Sequence, residues 1–225
     1  LKPKLNRANG MLSKIRHYTA SDQTKWIYHS IFASHMTYGC QIWGHSPTNT
    51  YINKINVLQN NALRLITFAT DFRDHVTPLY IELKLLKIKD LIILKNLLLI
   101  HYYFNKKLPE SFQNYFILDK DKHLYHLDDI RPTHIPVKFN DFILTEQNMQ
   151  PQQNPVPGQL YRPEYETVRY GRDSLKISSI NSWNNLNRKY HELNSNNDFI
   201  SMPRNTFKEL IIEDFLDGYG RYVNE

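Results

Sequence analysis

Asp128-Asp129 is the one adjacent pair of aspartates in the chain. Such a pair could matter because phosphoryl transfer needs carboxylates that hold two metal ions against a triphosphate and the attacking hydroxyl. His126-Leu127 precedes the pair, and Pro132 and Pro136 follow it. The segment is therefore broken by proline, and we read the pair as a solvated surface charge. His123-x-x-His126 has the spacing of two metal ligands one helical turn apart. No cysteine accompanies them, and a metal site wants three or four ligands, so we read loop histidines. The lone cysteine, Cys40, excludes an internal disulfide and a multi-cysteine zinc centre. It reads as a small buried apolar residue. With 10 His and many Ser, triads can be drawn anywhere. No Gly-x-Ser-x-Gly turn selects one, and no catalytic residue is assigned.

The basic residues are better candidates. Net charge is +6 over 225 residues, but it is uneven: residues 1–110 carry 15 Lys/Arg against 6 Asp/Glu, and residues 111–225 carry 13 against 16. A basic front half is what a phosphate backbone attracts. Lys4, Arg7, Lys14 and Arg16, with Lys2, cluster on the first expected helix. Lys54 and Arg64 lie on the third. These two helices are expected to form a duplex-facing surface through phosphate contacts, not base readout. The rival arrangement pairs Arg7 and Arg64 with acids such as Asp22 and Asp71 inside the fold. Trp43 and Trp183 could stack on bases, but large aromatics at helical spacing read first as core.

The elements that position these groups are helical. Leu1, Leu5, Ala8, Leu12 and Ile15 recur at three and four residues, one face of a helix. Ser21 is the expected N-cap of a second helix, with Asp22 in its first turn. Trp26, Ile27, Ile31 and Tyr38 make its stripe, and it stops before Pro47. A third begins near residues 48–50 and turns Ile52, Ile55, Leu58 with Gln59, Ala62 and Leu65-Ile66 inward. Thr77-Pro78 opens a short helix that buries Leu79 and Leu83. From Asp90, Leu91 to Phe104 is apolar nearly all round, so that helix is the expected centre of the front half, ending before Pro109. It is too short to span a bilayer, which takes about 20 residues. Residues 113–165 are interrupted by prolines, and Gln147 to Gln159 reads as an exposed linker. Short strands are expected within Ile135 to Leu144. Order resumes at Tyr165. Ile177, Ile180, Trp183 and Leu186 stripe one helix. Phe207, Leu210, Ile211 and Phe215 stripe another, which starts near Ser201 and is capped by Gly218.

Taken in order, some of these segments carry a resemblance. Tyr38-Gly39-Cys40 with Trp43-Gly44, and then Ala62-Leu63-Arg64-Leu65-Ile66, resemble the region after the catalytic palm in non-LTR (LINE-type, jockey-like) retrotransposon reverse transcriptases. Thr77-Pro78-Leu79-Tyr80 with Leu83 and Leu86 to Asp90, and Leu108-Pro109 with Phe112, continue the family's order. Tyr170-Gly171, Ser174-Leu175-Lys176, Trp183-Asn184 with Leu186, and Phe207-Lys208 match its far end. Asn187 stands where the family commonly has proline. The resemblance implies a thumb-like helical region that grips template–primer, followed by a tail. It also implies that nucleotidyl transfer lies upstream, on an aromatic-x-Asp-Asp hairpin that Asp128-Asp129 does not reproduce. Magnesium would belong to that missing palm alone, and the palm and fingers would be natural partners.

The expectations are therefore a mainly α fold: a thumb-like helical bundle over 1–112, a proline-rich, partly disordered linker over 113–164, and a smaller helical unit over 165–225. The chain, which begins at Leu1, reads as a non-catalytic carboxy-terminal fragment of a polymerase. It is expected to be intracellular, in nucleus or cytoplasm, with weak affinity for RNA or an RNA–DNA duplex, without membrane partners or cofactors of its own. The alternative is a co-opted helical protein–protein interaction module that uses Leu91–Phe104 or the rear helix. An active enzyme is the third reading, and no assembled site supports it.

Overall fold

The computed structural model describes residues 1–44, 50–68, 75–112, 115–116, 159–162, 175–192 and 199–221. The fold is mainly α. Asp128-Asp129, His123, His126, the strands expected near Ile135 and most of the expected linker lie outside the described residues.

Helix α1 (Lys2–Ile15) buries Leu5, Ala8 and Leu12, as its periodicity requires. A short turn leads to α2 (Ser21–Tyr28), then a π-helical turn (His29–Ala33) and α3 (Ser34–Thr37). Two expectations change here. The N-cap is Ala20, not Ser21; the Gln23 side chain accepts from the Ala20 N–H at 3.3 Å, and the Thr24 hydroxyl donates to the Ala20 carbonyl at 3.0 Å. The inward stripe is Thr24, Tyr28, Phe32 and Met36, while Trp26 and Tyr38 face outward, 73% and 85% exposed. Residues four apart drift by about 40° in an α-helix. The wider π turn takes that drift back and holds the four on one face. Ser30 and Ser34 donate to carbonyls four residues earlier in the same stretch, a bond that bends helices.

The chain then breaks at Tyr38, and α4 (Cys40–Trp43) is pinned as a corner. Gly39 makes the break with a left-handed φ of 61°, a conformation that costs other residues about 1 kcal/mol or more. The Trp43 indole Nε1 donates to the Tyr38 carbonyl at 2.8 Å, and Gln41 donates to the Lys95 carbonyl at 2.9 Å. A Cβ on Gly44 would stand 2.3 Å from the Cys40 carbonyl and 2.5 Å from Ile92 Cδ1, so only glycine allows this approach. Cys40 is buried, and burial raises its thiol pKa.

Helix α5 (Thr50–Ile66) packs along α1 and runs parallel to it: Asn9 donates to the Leu58 carbonyl, and Arg16 lies over Phe68. Helix α6 (Thr77–Glu82) has Val76 as N-cap, and it buries Tyr80 more fully than Leu79. Helix α7 (Ile88–Phe104) is central, contacting α4, α5, α8 (Leu175–Glu192) and α9 (Arg204–Arg221). Its apolar residues face every direction, which only a helix covered on most sides tolerates. Ile92, Leu94, Leu97, Leu98 and Ile100 are buried, while Leu91, Ile93 and Leu99 are half-buried.

Trp183 of α8 is 1% exposed and sits among Phe104, Phe199 and Phe207, with ring centroids 5.4–6.5 Å apart. Helix α9 does not stop at Gly218; it continues to Arg221, carrying Tyr219 into the core. Trp183→Ala is expected to lower unfolding free energy by about 3–5 kcal/mol, measured by chemical denaturation. An unchanged midpoint would remove Trp183 from the core.

Candidate nucleic-acid interface

From Leu1 to Ile66 the chain holds eight Lys/Arg and one acidic residue, Asp22. Every sequence-selected cation falls in this stretch, on α1 or α5 or, for Arg16, at the C-terminal end of α1. Lys4, Arg7 and Lys14 are exposed on α1, and Lys54 is exposed on α5. Among the described residues no carboxylate pairs with Lys4, Arg7, Lys14 or Lys54. Arg16 is partly committed, its guanidinium 5.0 Å above the Phe68 ring and its Nε buried without a hydrogen-bond partner. Arg64 is half-buried and engaged in the fold.

The structure brings Lys4 and Arg7 together in one depression, and the other wall is not α5. It is the α2–α3 arm, through Ser30, Ile31, Ser34 and His35, enclosing about 370 Å³. A second depression of about 350 Å³ shares Lys4 and His35 and continues to Tyr38, Trp43 and Tyr51. The two form one groove along α1, basic at its centre and aromatic at one end. Trp43 and Tyr51 meet edge to face with centroids 6.5 Å apart. Sequence reasoning passed over His35, Tyr38 and Tyr51. Tyr38 was placed on the buried stripe, and the π turn that expels it has no signature in residue type. Trp43 is half-buried, so it belongs partly to the groove, whereas Trp183 is core.

A separate polar cluster lies where α7 begins. Gln59, fully buried on α5, donates to the Leu86 carbonyl at 2.8 Å and accepts from the Ile88 N–H at 3.0 Å. The Tyr219 hydroxyl accepts from the Lys87 N–H at 3.0 Å and donates to Asp90. The Lys87 ammonium stands 4.5 Å above the Tyr219 ring. Desolvation raises the Asp90 pKa, opposed by the Tyr219 hydrogen bond and by Lys87 and Lys89. Burial and the adjacent Asp90 push the Tyr219 phenol well above its usual range. Tyr219 is thus a neutral donor, and the arrangement is structural. Among the described residues no three His, Cys, Asp or Glu stand close enough to share a metal ion, and no helix is long and apolar enough to cross a membrane.

The folded state holds the Asp90 proton to higher pH than the unfolded chain does. The cost of ionising Asp90 in the fold therefore builds up as pH rises from the ordinary carboxylate range to its folded pKa, and it disappears as pH falls below that range. Unfolding of wild type and Asp90→Asn compared across this range should show wild type gaining on the variant as pH falls. A constant difference would contradict the burial effect. Gln59→Leu leaves the Ile88 N–H and the Leu86 carbonyl without side-chain partners and should cost about 1–3 kcal/mol for each orphaned group, read by urea denaturation.

No family model matches this chain, and neither a curated protein nor a solved structure is detectably similar to it.

Proposed function

We propose that this chain is a non-catalytic helical region of a non-LTR reverse transcriptase, and that it holds nucleic acid through the phosphate backbone. The observation that carries the reading is the set of exposed cations Lys4, Arg7 and Lys14 on α1 and Lys54 on α5, none paired with a carboxylate among the described residues, in a stretch with a single acid. Uncompensated Lys and Arg on adjacent helices form a positive surface that releases counterions when it meets phosphates. The ordered resemblance of Tyr38 to Gly44, Ala62 to Ile66 and Thr77 to Asp90 supplies the polymerase parentage. In this reading nucleotidyl transfer and its magnesium belong to a palm, not to these residues. The duplex contacts fall to Lys14 and Lys54, with Lys4 and Arg7 beside them; Arg16 and Arg64 contribute less because the fold already engages them.

A second reading has its own support. Trp26, Tyr38 and Ile42 are 73%, 85% and 79% exposed, and large apolar side chains left in water are groups a partner surface can cover. A protein partner, the palm itself or another chain, would cover them.

Titrating the chain with an RNA–DNA duplex at increasing salt separates these readings. Affinity should fall steeply and linearly on a log–log plot. Lys14→Ala and Lys54→Ala should each reduce the slope by roughly 1. A flat response, or no binding at low salt, contradicts nucleic-acid binding and favours the protein partner. Metal-dependent primer extension by this chain would contradict the non-catalytic assignment.

A further inference from the structure

We infer that the groove between α1 and the α2–α3 arm takes one unpaired strand of nucleic acid, with phosphates on Lys4, Arg7 and His35 and bases against Tyr38, Trp43 and Tyr51. This rests on the phosphate-binding reading and deepens it, since that reading requires only backbone contacts to a duplex.

Among the described residues, the side chains of Lys4, Arg7 and His35 have no ion-pair or hydrogen-bond partner. All three are exposed, and Lys4 and His35 border both parts of the groove. A string of phosphates running past them would meet donors at every step. The aromatic end is already shaped. Gly39 turns the chain in a left-handed conformation that separates Tyr38 from the helix before it. The Trp43 indole is fixed by its bond to the Tyr38 carbonyl, and Tyr51 stands edge-on to it. Tyr38 is left 85% exposed, with no ring partner of its own among the described residues. Open ring faces of this kind stack on bases of any identity. A duplex keeps its base faces inside the helix, so only an unpaired strand can use them. The α1 wall from Leu1 to Met11 is about 15 Å long at 1.5 Å per residue, room for a few nucleotides. An apolar protein helix in the same place would strip water from Lys4 and Arg7 while supplying no anion.

Fluorescence anisotropy with a labelled oligouridylate, and with a fully paired RNA–DNA duplex of equal length, tests the assignment. Tyr38→Ala should weaken single-strand binding roughly tenfold, the contribution of one stacked base. It should leave both duplex binding and the melting temperature unchanged. The Lys4→Ala, Arg7→Ala double variant should flatten the single-strand salt dependence by roughly 1.4 in slope, at about 0.7 per phosphate. Single-strand affinity that ignores Tyr38→Ala overturns the groove assignment. So does a chain that binds the duplex but not the oligouridylate, an outcome that leaves the phosphate reading standing. Binding of neither probe overturns both.

Discussion

The first backbone N–H of α7 cannot reach water and has no cap on its own helix. A buried, unpaired amide would cost as much as a lost hydrogen bond. The chain meets this demand from two distant elements. Gln59 reaches from α5 to Ile88, and Tyr219 reaches from α9 to the preceding residue, Lys87. A helix apolar on all sides is thereby fixed at one end by side chains from both halves of the sequence. Much else follows. Helix α5 is held in register by Gln59, and α1 packs along α5. Helix α9 must pass through Gly218 and on to Arg221, because Tyr219 has to arrive at the start of α7.

The corner at Tyr38 to Gly44 shows how a short, mostly apolar motif acquires a physical role. Each residue answers a separate constraint: Gly39 a positive φ, Cys40 a small buried volume, Trp43 a hydrogen bond to the residue before the turn, and Gly44 contact with Ile92. Gln41 ties the corner to the carbonyl of Lys95 on α7. The corner thus joins the central helix to the end of the basic groove. Its inner side belongs to the core, while its outer side presents Tyr38 and part of Trp43.

Periodicity made most of the helices legible. The stripes of α1, α5, α8 and most of α9 could be read because three- and four-residue spacing projects directly onto one helix face. The apolar character of α7 likewise identified it as central. Three features escaped. The inward stripe of α2 to α3 centres on Thr24, Tyr28, Phe32 and Met36, with Ile27 and Ile31 packed partly against the core and Trp26 and Tyr38 turned outward; the π turn within it is a hydrogen-bond register that residue type does not encode. Gly218 resembled a helix cap, yet the pull of Tyr219 on Lys87 and Asp90 outweighs the weak local preference of glycine to end a helix. The groove escaped because it needs α1 and the α2–α3 arm side by side. The basic residues were visible individually, but the partner wall for Lys4 and Arg7 was assigned to α5, where only Tyr51 contributes.

The functional proposal divides the molecule by charge and not by chain halves. Gln59, Tyr219 and Asp90, the polar cluster where α7 begins, are hydrogen-bonded and serve the fold. Lys4, Arg7, Lys14 and Lys54 have no carboxylate partner among the described residues, and they carry the proposed affinity. Ultraviolet cross-linking of the chain to a photoreactive RNA, with the modified peptides mapped by mass spectrometry, tests this most directly. The expected result is adducts confined to residues 1–66, with none on α8 or α9. Adducts concentrated on α8 and α9, or a chain that cross-links nowhere at low salt, would contradict it.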